Sequence, residues 1–203
     1  MIIDIHNHPD WHGHDLDRFL ANMDSFGIEK TWLLSWEAPQ DEVDPNTTQF
    51  FCMSETGYPI PFSRCLSYKE RAPERFILGY APDPRKPDAI RRMEAAIDIY
   101  GVQVYGELKL RMMYDNPDAL RMFRFCGTRK IPVLLHIDYE IPAASPFPWP
   151  NYWYGGGIEA FERVLVACPE TIFIGHAPGF WSHISGDGKY AESYYPQGPV
   201  RAG

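Results

Sequence analysis

The chain is poor in cysteine, in positive charge and in long apolar runs, and each shortage removes a class of protein. Four cysteines stand at positions 52, 65, 126 and 168 among 203 residues. No two have C-x-x-C or zinc-knuckle spacing, so they read as reduced, mostly buried thiols and not as a disulfide framework. Lys and Arg number 19 against 27 Asp and Glu, for a net charge of −8. An acidic chain without a basic run is a poor partner for nucleic acid or an anionic membrane. No apolar stretch approaches the length of a membrane span. Asp4 and His6 stand where a secretion signal needs a basic start and an apolar core, so the expected location is cytoplasmic. What is present is ordinary for a folded globular protein: 45% hydrophobic, 15% aromatic and 23% charged residues. Nineteen prolines and 16 glycines predict long, shaped loops.

Short β-type apolar runs alternate with helical patterns along the chain. The runs cover residues 2–5, 31–36, 76–81, 102–110, 131–137 and 171–174. Between them, Leu16, Phe19, Leu20, Met23 and Phe26 recur at helical spacing and stop at Gly27. Ile90, Met93, Ala96, Ile97 and Tyr100 do the same before Gly101, and Ala119, Met122, Phe123 and Cys126 before Gly127. A fourth pattern, Ile158, Phe161, Val164, Leu165 and Cys168, ends at Pro169. Nearly continuous apolar strands separated by helices predict an α/β fold with a parallel sheet covered on both faces. A closed eight-unit barrel typically takes ~250 residues, and this chain holds about six units at its own spacing. Residues 177–203 read as a loop without a seventh strand. The expectation is a single domain over 1–203, either an open six-stranded sheet or a barrel incomplete at its C-terminal side.

The chemistry concentrates at strand ends. In Ile2-Ile3-Asp4-Ile5-His6-Asn7-His8-Pro9, residues two apart in a strand point the same way, so His6 and His8 can converge on one metal ion. His136 ends the fifth run and His176 the sixth, at the carboxyl end where parallel α/β folds place their sites. Neutral imidazole is the commonest zinc ligand, and a catalytic zinc keeps one position open. The fourth run adds Glu107, Lys109 and Arg111 in one phase, opposite Leu108 and Leu110. Buried charges there need a partner or a metal. Glu107 could ligate, Lys109 could do so if carbamylated, or the two could form an ion pair. Arg111 could grip a substrate carboxylate or point outward into a salt bridge. Asp138 shares the phase of His136 and could orient a histidine. His12 and His14 repeat the H-x-H spacing without a strand before them and read as loop residues, as does His183. Glu37, after the second run, reads as an exposed residue near the mouth.

Four motifs come in order, each at a strand end: Asp4-Ile5-His6-Asn7-His8-Pro9, Gly106-Glu107-Leu108-Lys109, Leu135-His136-Ile137-Asp138 and Ile174-Gly175-His176-Ala177-Pro178-Gly179. In these the chain resembles the amidohydrolase superfamily, and specifically its amidohydrolase-related (amidohydrolase 2) branch of metal-dependent hydrolases and decarboxylases. The resemblance implies a distorted (β/α)8 TIM barrel, here of about six units, that holds one or two divalent ions, zinc in the first place. It implies that His6 and His8 bind the main ion and that His136 follows from strand 5. His176 would bind a metal or stabilise a developing oxyanion, and Glu107 or Lys109 would fill the strand 4 position that bridges two ions in binuclear members. The catalytic roles thus fall to His176, Glu107 and Lys109. The superfamily's aspartate at the end of strand 8 has no match. Asp187 sits in Ser185-Gly186-Asp187-Gly188 without a strand context, so weak or absent turnover is expected of this chain alone.

Residues 143–157 form a proline-stiffened aromatic stretch after His136, and Trp149 and Trp153 in it, with Trp181 further on, read as the wall of a pocket for a small organic substrate. The same aromatics also suit a contact in a homo-oligomer. The expected reaction is hydrolysis of an amide, ester or lactone by a metal-activated water. The alternatives are non-oxidative decarboxylation of an aromatic or unsaturated acid, and a non-catalytic metal-binding or assembly module. A phosphodiesterase or nuclease of the same superfamily is disfavoured by the acidic charge.

Overall fold

The structure is a computed structural model that describes residues 1–39, 42, 60–139 and 153–184. Among the described residues, strands and helices alternate six times: β1 (Ile2–Asn7), α1 (Leu16–Ser25), β2 (Ile28–Leu34), α2 (Phe62–Arg71), β3 (Phe76–Gly79), α3 (Ala89–Tyr100), β4 (Tyr105–Leu108), α4 (Pro117–Thr128), β5 (Val133–His136), α5 (Gly157–Ala167), β6 (Phe173–His176) and α6 (Pro178–Ile184). This is the α/β order with parallel strands read from the sequence. Among the described residues no helix is long and apolar enough to cross a membrane.

The chain divides into two compact units, Met1–Leu108 and Lys109–Gly203. In the N-terminal unit β1, β2 and β3 pair in parallel, with Thr31 opposite Phe76 and Leu34 opposite Gly79. A parallel bridge from Gly79 to Val104 leads into β4. Leu33, Leu34, Phe76, Leu78, Met93 and Tyr105 lie almost wholly out of water. Fully burying such a side chain contributes about 1.5–3 kcal/mol each. β1 is different: its Ile2, Ile3 and Ile5 stay exposed, and its pairing with β2 shifts register between Asp4 and Asn7. Asp15 caps α1 by accepting from the Arg18 amide at 2.9 Å, and Leu16, Phe19 and Met23 form its buried face.

α2 has no counterpart among the predicted helices. Its buried residues are Phe62, Cys65 and Tyr68, spaced at three, with Ser63, Arg64 and Lys69 between and beyond them. So narrow a stripe on so polar a segment gives little periodic signal. Glu37 serves this helix from outside, where its Oε1 accepts from the Phe62 amide at 3.2 Å while Oε2 meets Arg92 at 3.2 Å. The exposed-residue reading of Glu37 gives way to a capping role.

In the C-terminal unit β5 and β6 pair in parallel over four residues, from Val133 opposite Phe173 to His136 opposite His176. Asn116 caps α4 from the residue before Pro117, accepting from the Asp118 and Ala119 amides at 2.8 and 3.2 Å. Ahead of α5 run three glycines with φ of 81°, 79° and 84° at 155, 156 and 157. A Cβ on them would meet Tyr114 at 2.6 Å, Met113 at 2.3 Å and Tyr139 at 2.8 Å. The expected loop after residue 177 is corrected at its start: Pro178–Ile184 is helical. Seven residues are too few for a periodic pattern to register, but Pro178 at the first turn pre-sets the helical φ. Gly179 lets this helix approach β5, for its amide donates to Ile137 O at 3.0 Å and a Cβ there would stand 2.4 Å from that oxygen. His183 lies in this helix, not in a loop, and its Nε2 pairs with Tyr139 Oη at 2.7 Å. Residues 185–203 lie outside the described residues, and with them Asp187.

Candidate metal centre

In the N-terminal unit, the end of β1 is folded out of regular pairing by its own polar side chains. Asp4 accepts from the His6 amide at 3.1 Å and from the Asn7 side chain at 3.0 Å, and Asn7 accepts from the His8 amide at 2.9 Å. This lattice sets both imidazoles toward one carboxylate on β4. His6 Nε2 lies 3.3 Å and His8 Nε2 2.9 Å from Glu107 Oε2, with the two rings edge to face. Glu107 and His8 are buried and His6 is half-buried. The Glu107 amide donates to Ser35 O at 3.0 Å, which ties its backbone to the end of β2.

His8 Nδ1 lies 2.9 Å from Leu34 O. A carbonyl only accepts, so Nδ1 carries a proton and donates it, which turns Nε2 toward the carboxylate. Nε2 and a carboxylate oxygen at 2.9 Å are joined by a proton or by a cation between them. The donor set, two imidazole nitrogens and a carboxylate oxygen with the far side of one ring fixed by a carbonyl, is what a divalent transition ion takes. Trp11 packs beside this group, its ring 5.1 Å from that of His8.

The C-terminal unit holds the other two histidines. His136 and His176 are register partners at the ends of β5 and β6, their ring centroids 5.3 Å apart. His136 is buried and its Nε2 lies 2.6 Å from Asp138 Oδ2, a carboxylate that is itself buried. Asp138 is held by paired backbone bonds with Tyr154 at 3.1 and 3.0 Å, and Tyr114 Oη donates to His136 O at 2.9 Å. Lys109, only 5% exposed, sets its Nζ 5.0 Å from the Tyr154 ring centroid, a cation–π contact that offsets part of its desolvation.

Each unit therefore gathers its own predicted residues: His6, His8 and Glu107 in one, His136 and His176 in the other. Of the expected substrate wall, Arg111 and Trp153 are half-buried, Trp181 is 46% exposed on α6, and Trp149 lies outside the described residues. Sequence reasoning did not single out Trp11 or Leu34 O. Leu34 O carries no side-chain signal, and Trp11 sits in a turn where no periodicity marks it.

No protein-family model and no curated protein matches the sequence. Solved structures do match in fold. A protein described as a putative amidohydrolase, from Staphylococcus aureus, superposes with a TM-score of 0.59 at 14% identity, over 92% of this chain and 72% of its own. The 2,6-dihydroxybenzoate decarboxylase from Rhizobium gives 0.53 at 19% identity, over 91% of this chain and 64% of its own. A dihydroxybenzoic acid decarboxylase from Polaromonas sp. JS666, with bound manganese and the inhibitor 2-nitroresorcinol, gives 0.58 at 16% identity, over 98% of this chain and 73% of its own. The chain thus spans between three fifths and three quarters of the length of such structures. At this identity the likeness carries the fold alone, and a further match, from Bordetella bronchiseptica with a TM-score of 0.57 at 16% identity, is described as a TIM-barrel protein.

Proposed function

We propose that the chain is a metal-dependent enzyme of the amidohydrolase type that hydrolyses an amide, ester or lactone bond of a small organic substrate. The observation that carries this reading is the convergence of His6, His8 and Glu107, from two strands 100 positions apart, with the His8 tautomer set by Leu34 O. In this reading His6, His8 and Glu107 hold the ion, and His136 and His176 take the places that the resemblance assigns to them. A divalent ion so held supplies Lewis acidity and lowers the pKa of bound water to about 7. Zinc suits the imidazoles, and manganese, the ion in the Polaromonas enzyme, suits the carboxylate. Asp138, accepting from His136 Nε2, fixes the orientation of that ring. Lys109 contributes positive charge beside Tyr154, where a developing oxyanion or a substrate carboxylate would be favoured. The free, buried state of Cys65, Cys126 and Cys168 supports a reducing, cytoplasmic setting.

Non-oxidative decarboxylation of an aromatic acid is the second reading, favoured by the two dihydroxybenzoate decarboxylases among the structural neighbours. A metal-loaded sample of the chain offered a panel of esters, lactones and amides beside dihydroxybenzoic acids separates them. A new carboxylate, formed by the parent and absent with Glu107→Gln, supports hydrolysis. Carbon dioxide release puts the second reading first. Bound metal with neither product puts the non-catalytic module ahead of both.

A further inference from the structure

We propose that Asp10, Arg64 and Tyr68 form a clamp whose role is to position His8 and Trp11 for metal binding, which makes all three positioning residues of the centre. The inference rests on the metal-centre reading above and adds to it a control point on another element.

The turn that follows His8 is unusual in its backbone. Asp10 has φ 61° and His12 φ 53°, both in the left-handed region, which Asp and His enter more readily than most residues. Its own bonds, Gly13 amide to Asp10 O at 3.0 Å and His14 amide to Trp11 O at 3.1 Å, are joined by a grip from another element. The Asp10 carboxylate is 1% exposed, and Arg64 grips it with two nitrogens, Nη2 on Oδ1 at 2.7 Å and Nε on Oδ2. The Tyr68 hydroxyl donates to Oδ1 at 2.8 Å and accepts from the Asp10 backbone amide at 3.2 Å. One phenol therefore fixes both the side chain and the backbone of the same residue.

Arg64 and Tyr68 stand one turn apart on α2, and the guanidinium lies 5.2 Å from the Tyr68 ring centroid. The phenol is fully buried, and both burial and the neighbouring carboxylate raise its pKa, so it keeps its proton. The Asp10 carboxylate in turn holds the guanidinium charged. What this clamp fixes is neither core nor surface. Its target lies two residues past His8 and one before Trp11, whose ring packs on His8. A bidentate guanidinium–carboxylate pair sets orientation as well as distance, which is what a ligand with a single productive ring orientation requires.

The test measures Mn2+ and Zn2+ affinity by chelator competition in the parent, Arg64→Met, Arg64→Lys, Asp10→Asn and His8→Ala, with amide hydrogen exchange across residues 9–14 in the metal-free chain. Leu78→Ala, which lowers stability elsewhere in the same unit, is the control. The clamp predicts at least a tenfold loss of affinity and faster exchange of the turn in Arg64→Met and Asp10→Asn, partial recovery in Arg64→Lys, and parental affinity in Leu78→Ala. Parental affinity in Arg64→Met overturns the clamp while the metal reading stands. If His8→Ala binds as the parent does, the metal reading has failed. Exchange then decides alone, and an unchanged turn in Arg64→Met overturns the clamp as well.

Discussion

The two units solve the same problem, a histidine at the end of a parallel strand, in opposite ways. In the N-terminal unit the carboxylate that faces the imidazoles comes from a distant strand, so His6 and His8 meet Glu107 only because β1 and β4 fold together. In the C-terminal unit the carboxylate that faces His136 is Asp138, two residues along the same chain. A pair two apart is a local device that turns a ring and fixes its proton. A group drawn from separate strands is a convergent one, and convergence is what a bound ion demands. The strands differ in the same sense: β5 is buried throughout, whereas β1 is exposed at Ile2, Ile3 and Ile5 and irregular in register before its second histidine. Regularity serves packing, and the irregular end of β1 serves the site.

The contrast breaks most visibly if the convergent group is removed. His6→Ala with His8→Ala should lower metal affinity by at least about a hundredfold, beyond what the loss of an outer partner costs. Chelator competition measures it, and parental binding in the double variant would remove the distinction between the units. Asp138→Asn should act within its own unit, lowering its stability by about 1–3 kcal/mol through the weakened bond to His136, read by thermal unfolding. An unchanged melting point would mean that Asp138 is not the local device described.

Much of each unit's chemistry is legible in the sequence, and the limit is physical. The histidines at 6, 8, 136 and 176 are visible because strands have a two-residue period and their ends follow from apolar runs. Asp138 is visible by the same spacing. The partnership of Asp10 with Arg64 is not, since 54 positions separate them and nothing in either residue type names the other. β2 begins at Ile28, three residues before the predicted run, and β4 shrinks from 102–110 to Tyr105–Leu108, because pairing with neighbours and not hydrophobicity sets where a strand counts as one.

Two smaller effects sharpen the picture. Gly179→Ala should destabilise the C-terminal unit by about 1–3 kcal/mol, the range for a forced overlap in a packed interior. Thermal unfolding should show it, and a melting point equal to the parent's would mean that the helix can shift away from Ile137. At the small end, Arg71→Ala removes an exposed pair with Asp17 at 3.5 Å and should change stability by no more than about 0.5 kcal/mol. A melting shift as large as that of Gly179→Ala would show that exposed pairs carry weight here.

The three glycines ahead of α5 have a consequence for what can replace them. Each is left-handed, and each has a side chain of Tyr114, Met113 or Tyr139 where its Cβ would go. A library randomised at positions 155–157 and selected for folded chain should therefore return glycine at all three. That intolerance would reach a segment with no charge, no ligand atom and no reactive group. Substitution patterns would then mark a turn of pure shape as strongly as they mark the histidines, and only the chemistry of the residue type would tell the two apart.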